Sequence, residues 1–277
     1  MKEKHMNLFF PQWQGAGIGK ELLKGALEIK EKYLNGYEFI DIHVSRDDIA
    51  EAENNILGYR QIIEQFKTAK SVIAAEMPDR IFTVGGGCDI DVIPVSYLNK
   101  KLEGDLTVVW IDAHGDLNIP EQSPTKHFHG MPLRTLLGEG DPEIVKIPFS
   151  FLSDAQLMML GQRDLDEPEK DYIEEHQITF LDVDTINSDM DCVLESVKAK
   201  GSNNIYVHID LDVIDYDEFP YIKVPSPGGL KSQVLLNLLA RLNDEFNIAG
   251  LSLMEYAGSD KPYLAVISEI IRIGTSL

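Results

Sequence analysis

Basic residues are scarce in this 277-residue sequence: 25 lysines and arginines face 46 aspartates and glutamates, for a formal charge of −21. Non-specific grip on nucleic acid or on an anionic lipid surface needs a basic face, so neither is expected as a partner. A small cation would instead be drawn in. Cysteine is scarcer still. Cys88 and Cys192 cannot build a disulfide framework, so a reducing cytoplasm is the expected compartment. No apolar run approaches the ~20 residues that span a bilayer, and no membrane partner is expected. Residues 1–10 carry lysines but neither the apolar stretch of ~7–15 residues nor the small-residue cleavage site of a secretory leader. Repeats, low-complexity tracts and linkers are absent as well. Length alone would permit two domains, yet one domain over 1–277 is the better expectation. The chain ends at Leu277 soon after the last expected helix, so assembly through a C-terminal tail is not expected; a homo-oligomer built otherwise stays open.

What is present is alternation. Short apolar runs at 5–10, 39–44, 80–84, 106–111, 156–160, 179–181, 205–209 and 248–253 read as strands. Between them, helix-period segments cover 19–33, 52–75, 92–100, 169–176, 188–199, 232–243 and 262–273. Strands separated by helices predict βαβ units and a parallel sheet covered on both faces, an α/β fold. In such sheets ligands bind at the carboxyl ends of the strands, which is where the unusual residues fall.

Three strand ends stand out. The first reads Trp110-Ile111-Asp112-Ala113-His114-Gly115-Asp116, with Asp112, His114 and Asp116 at alternate positions that share a face in extended chain. Two carboxylates and an imidazole in a cleft repel and desolvate one another unless a cation is present; a solvated loop with incidental charges is the alternative. The second reads His208-Ile209-Asp210-Leu211-Asp212-Val213-Ile214-Asp215, an apolar strand running into two acids. Together the two clusters supply four carboxylates and one imidazole, a set suited to two divalent ions such as manganese. His208 is read as structural, sharing a face with Asp210 only if the strand bulges. The third, Thr83-Val84-Gly85-Gly86-Gly87-Cys88-Asp89, lets backbone pass close to something bulky or charged. It lacks the Gly-Lys-Ser/Thr and GxGxxG patterns of a phosphate cradle.

In this order the motifs resemble those of the ureohydrolase (arginase–agmatinase) family: Gly-Gly-Asp-His, Asp-Ala-His-x-Asp, His-Gly, Asp-x-Asp-x-x-Asp and a late Glu. The matching segments are Gly85-Gly86-Gly87-Cys88, Asp112-Ala113-His114-Gly115-Asp116, His129-Gly130, Asp210-Leu211-Asp212-Val213-Ile214-Asp215 and Leu253-Met254-Glu255. The resemblance implies a three-layer α/β/α sandwich around a mainly parallel sheet. It implies a hydrolase of linear guanidines or amidines in which a hydroxide shared by two divalent ions attacks the guanidinium carbon, releasing urea and an amine. Metal ligands carry over to Asp112, His114, Asp116, Asp210 and Asp212, with Asp116 also counted in the catalytic set. His129 carries over as proton shuttle and Glu255 as the carboxylate facing the guanidinium. The loop holding Asn118, Thr125 and His127 resembles the arginase segment that meets an α-carboxylate, and Asp166 matches the acid facing an α-amine.

The chain also departs from the family. Cys88 stands where the family has a histidine ligand, and Gly87 where it has an aspartate. A Cys88 thiolate would shift the preferred ion from manganese toward cobalt, iron or zinc; an inert buried thiol and a regulatory one are the alternatives. Asp89 either compensates or is a turn residue. Thr125-Lys126-His127 replaces the arginases' Ser-Gly-Asn, so agmatine, another guanidino acid or formiminoglutamate stands beside arginine as substrate, and Lys126 could meet a second carboxylate. Because of Cys88, a metal-poor homologue that binds a small molecule or partner without turnover remains the alternative from another class; a single-zinc deacetylase is more remote.

Overall fold

The computed structural model describes residues 3–49, 51–259 and 261–277; residues 1 and 2 of the leader expectation lie outside these. One sheet contains β1 His5–Phe10, β2 Ile40–Asp41, β3 Arg80–Gly85, β4 Thr107–Ile111, β5 Leu157–Leu160, β6 Thr179–Leu181, β7 Asn204–Asp210 and β8 Asn247–Met254. Their order is β2-β1-β3-β8-β7-β4-β5-β6, and every neighbouring pair is parallel. Parallel neighbours require crossovers. These are carried by α1 Glu21–Tyr33, α2 Tyr59–Glu76, α3 Val92–Lys101, α4 Pro132–Leu136, α5 Glu167–Glu175, α6 Val183–Ser188, α7 Met190–Lys198 and α8 Ser232–Glu245, and α9 Ala265–Gly274 follows the last strand.

The period of two along each strand sorts side chains into two cores. Val108, Trp110 and Tyr206 pack with Ile62, Phe66 and Leu98 of α2 and α3. Val109, Ile111, Val207 and Ile209 pack with Val193, Leu238 and Ile270 of α7, α8 and α9. A sheet buried on both faces explains why the central strands read as unbroken apolar runs.

Some boundaries differ from expectation, for local reasons. The run 39–44 gives only Ile40–Asp41 to the ladder, as an edge strand paired with β1 alone. The helix expected over 52–75 starts at Tyr59, because Asn54, Asn55 and Gly58 hold left-handed backbone that an α-helix cannot include. The helix expected over 188–199 is α7, which starts at Met190, and a separate helix, α6, ends just before it at Ser188. Asp189 separates the two, and its carboxylate caps α7 by accepting the Cys192 N–H at 2.9 Å. Gly86 is required by close approach: a Cβ there would stand 1.5 Å from the Gln12 carbonyl oxygen. The chain beyond β1 therefore lies directly against the end of β3, closing one side of the region where the motifs meet.

Candidate metal centre and active site

Four strands adjacent in the sheet, β3, β8, β7 and β4, end in the residues singled out above. Ile111 pairs with Ile209, which sets Asp112 beside Asp210. Asp210 in turn pairs with Met254, the residue before Glu255. Asp112, Asp116, Asp210 and Asp212 are all buried. Backbone N–H groups fix one oxygen of three of them: His114 donates to Asp112 Oδ1 at 2.6 Å, Asp212 to Asp210 Oδ1 at 2.7 Å, and Ala113 to Asp212 Oδ1 at 3.0 Å. Their second oxygens face the cluster, where Asp112 Oδ2 also accepts the Trp110 Nε1–H at 3.1 Å. Asp212 Oδ2 lies 2.8 Å from His114 Nδ1, and Asp116 Oδ2 has no partner. Asp116 and Glu255 hold positive φ angles of 55° and 64°. That conformation is uncommon for side chains of this kind and tends to persist where surrounding structure imposes it at functional sites.

Charge explains what this cluster is built to hold. Burial and mutual repulsion push Asp116 and Asp210 well above the usual carboxylate range, and Asp212 upward as well. Burial would also raise Asp112, but hydrogen bonding and charge from His114 outweigh it and hold that acid down to about 2. His114 is raised against its own burial by Asp212 and Asp112. One imidazolium among four carboxylates is too little positive charge, and this donor set fits divalent cations. Donor atoms lie within 4.8 Å of one another in three overlapping sets: Cys88–Asp112–Asp116–His208, Cys88–Asp210–Glu255 and Asp112–His114–Asp212.

Cys88 sits inside this cluster. Its Sγ is 3.1 Å from Asp210 Oδ2 and 3.9 Å from Asp112 Oδ2. Burial, followed by the charges of Asp210 and Asp116, pushes its thiol far up, so without a cation it donates to Asp210. Asp89 lies in a single 3₁₀ turn, Cys88–Asp91, and is fully buried with neither oxygen hydrogen-bonded. Burial raises it to about 7, with His129 pulling down and Glu255 pushing up.

His129 Nδ1 is 2.8 Å from Glu255 Oε1, and the same oxygen accepts the Cys88 N–H at 3.2 Å. Burial pulls the His129 pKa down, but Glu255 and then Asp89 outweigh it, and the net direction is up. Glu255 therefore stands behind His129, not on the wall of the cleft. That cleft, about 220 Å³, is lined by Asn118, Thr125, His127, Asp164, Asp166 and Glu169 among others. Asn118 Nδ2 donates to Asp166 Oδ2 at 2.9 Å, leaving Asn118 Oδ1 unpartnered. Asp166 caps α5 in a reciprocal box with Glu169. Thr125 is exposed, and its hydroxyl accepts the His127 N–H at 3.2 Å. Lys126 is exposed and stands off the cleft wall. His127 is lowered to about 4 by burial and then by His129 and Lys223, so it is neutral near pH 7.

Sequence reasoning missed three buried groups. His208 shares the face of Asp210 without any bulge between them, as the period of two along a strand requires; its reading above inverted that rule. Asp91, behind it, accepts from His208, Tyr206 and Ser252; nothing local marked it. Glu169, raised to about 7 chiefly by burial, accepts the Leu117 N–H under the metal-side loop. Only the Asp-x-x-Glu capping pattern at 166–169 could have pointed to it.

Comparison with known proteins places this geometry. The sequence profile of the Arginase family matches residues 15–262. An arginase of Staphylococcus aureus is 32% identical over 225 residues, covering 78% of this chain and 74% of that protein. The structure of Entamoeba histolytica arginase in complex with L-ornithine superposes with a TM-score of 0.84 at 20% identity over 99% of both chains. Formimidoylglutamase from Bacillus subtilis shares the fold at a TM-score of 0.69 and 19% identity, over 99% of this chain and 85% of its own. A match over most of the length, with the expected motifs meeting at the ends of adjacent strands, leads to one conclusion: the chain belongs to the arginase family and is a hydrolase of carbon–nitrogen bonds in linear amidines.

Proposed function

We propose that this hydrolase acts on a linear guanidine or amidine bearing a carboxylate, at two divalent ions held by Asp112, His114, Asp116, Asp210, Asp212 and Cys88. One observation supports the reading above all. Four buried carboxylates converge beside the His129–Glu255 pair at the floor of an acidic cleft. Once bound, such a pair of ions supplies an activated water near neutral pH and Lewis acidity. Manganese is the first choice, and the Cys88 sulfur shifts preference toward zinc, iron or cobalt.

The chain's own residues do the rest. Asp164 and Asp166, together with the overall negative charge, draw a cationic substrate into the cleft. Asn118, Thr125 and neutral His127 offer uncharged hydrogen bonds to a carboxylate, and Asp166 faces an amine. The Entamoeba arginase structure holds L-ornithine, and an amino-acid product of that kind suits this pattern of groups. His129, held by Glu255, keeps its proton to higher pH and passes it to the departing nitrogen. Two unpaired cysteines, one of them in the centre, fit a reducing compartment, and we place the chain in the cytoplasm on that ground. Among the described residues no helix is long and apolar enough to cross a membrane.

A second reading, a binder without turnover, is favoured by one fact: a protonated Cys88 bonded to Asp210 leaves one ion weakly held. A screen separates the two. Metal-stripped protein is given manganese, cobalt, iron or zinc separately, then arginine, agmatine, other guanidino acids and formiminoglutamate, with urea, ammonia and formamide as readouts. Turnover of one compound is expected. Bound ions with no turnover of any compound would favour the binder, and failure to bind any ion would refute the metal-dependent reading.

A further inference from the structure

We propose that His208 is a metal ligand through Nε2, supplying the imidazole that Cys88 displaces, so that one half of the centre is a Cys88–His208–Asp112–Asp116 set. The inference rests on the reading of a divalent metal centre and adds a ligand that the motif comparison does not contain. His208 is fully buried on β7, two residues before Asp210 and on its face. Nδ1 lies 2.7 Å from Asp91 Oδ2. The Asp91 carboxyl also accepts the hydroxyls of Tyr206, at 2.7 Å to Oδ1, and of Ser252. With two hydroxyls already donating to it, the Asp91 carboxylate is an acceptor toward the ring as well. Nδ1 then carries the hydrogen, and in the neutral ring Nε2 presents a lone pair.

That lone pair has no partner. Nε2 is buried without a hydrogen bond, 4.0 Å from Asp112 Oδ2. A purely structural histidine would explain the Asp91 bond and the flat stack on Trp110, with ring centroids 3.5 Å apart. It would not explain an orphaned nitrogen in a cluster of carboxylates. Donors bonded to one ion at about 2.0–2.3 Å stand up to about 4.5 Å apart when opposite, close to the 4.8 Å span within which Cys88, Asp112, Asp116 and His208 offer their atoms. A histidine whose second nitrogen donates to a carboxylate is the usual arrangement of a metal-bound imidazole, and Asp91 is then a positioning residue. The imidazole also brings a donor without negative charge to the side where a thiolate would add one. Sulfur and nitrogen together bias this half toward zinc, cobalt or iron over manganese.

The test uses the full chain, stripped of metal and reloaded with Co(II). The thiolate-to-cobalt absorption in the near ultraviolet reports Cys88. Hyperfine-shifted imidazole N–H resonances in proton NMR count the histidine ligands. Wild-type protein should show two such resonances, from His114 and His208, and this count needs no variant. His208→Gln should delete one of them, keep the thiolate band and weaken cobalt binding at least tenfold. Asp91→Asn should move the His208 resonance, spare that of His114, and weaken affinity by about 10–100-fold, as changes to groups supporting a ligand do. A single shifted resonance in the wild type, or unchanged spectra and affinity in His208→Gln, overturns the inference and leaves the hydrolase reading standing. Wild-type protein that binds no cobalt, zinc or manganese overturns both.

Discussion

Asp89→Asn tests the electrostatic account of this site without reference to activity. The wild-type carboxyl is fully buried, has no hydrogen-bond partner, and is raised from 3.8 to about 7, chiefly by burial. Below about pH 4 both folded and unfolded chains hold its proton. As pH rises toward 7 the unfolded chain releases that proton while the folded chain retains it, so folding stability falls, and above 7 the loss is complete. A difference of about 3 units at 1.36 kcal/mol each makes the full loss about 4 kcal/mol. Between pH 5 and 8.5 the linkage relation assigns about 3 kcal/mol of it. Asparagine cannot ionise. Whatever fixed cost its amide brings, the stability of Asp89→Asn relative to wild type must improve by that amount across the range. Urea unfolding of metal-stripped wild-type and variant protein at pH 5, 6, 7 and 8.5 measures it. The comparison cancels the contribution of Glu169, also raised to about 7. Parallel stability curves for the two proteins would refute the reasoning.

Three further outcomes concern the centre itself. Asp112→Ala or Asp210→Ala should abolish hydrolysis and lower bound metal, measured by elemental analysis, because each removes a carboxylate shared within the cluster; full activity in either variant would end the two-metal reading. Glu255→Gln should leave metal content intact and slow turnover at least ~10-fold, since it removes the partner that orients a general acid. Glu255 raises the His129 pKa, so its loss should also move the fall in rate at high pH toward lower pH. Metal lost from Glu255→Gln would mark Glu255 as a ligand instead. Cys88→Ala should weaken one ion of the pair at least ~10-fold, and Cys88→His should improve manganese affinity; titration of both variants with each ion checks this, and unchanged stoichiometry and affinity in Cys88→Ala would reduce Cys88 to packing.

The parts of the site legible in the sequence are those set by local geometry. An apolar strand that ends in acids at i and i+2 shows its chemistry within a few residues, because backbone N–H groups just beyond the strand turn back onto those acids, as His114 does to Asp112 and Asp212 to Asp210. The glycines at 85–87 announced a close approach, and Gly86 against Gln12 is one. Reading His208 as off the acids' face was an error of rule and not of information, since alternation alone placed it with Asp210. Asp91 and Asp89 were different. Each is an acid near a turn in sequence, and only burial, through the approach of β7, β8 and the chain at Gln12, makes one a shared acceptor and the other an unpartnered carboxyl.

By itself, then, the sequence determined the alternation of strand and helix, the two-faced parallel sheet and the acidic strand ends, all carried by spacing over short stretches. Which ends meet was decided by tertiary structure alone. The order β3-β8-β7-β4 brings Cys88, Glu255, Asp210 and Asp112 together from positions up to 167 residues apart. Strand neighbours are chosen by the burial of whole faces and by crossover connections, which no local pattern encodes. The same long-range packing set Glu255 behind His129 and aimed the unpaired nitrogen of His208 into the cluster.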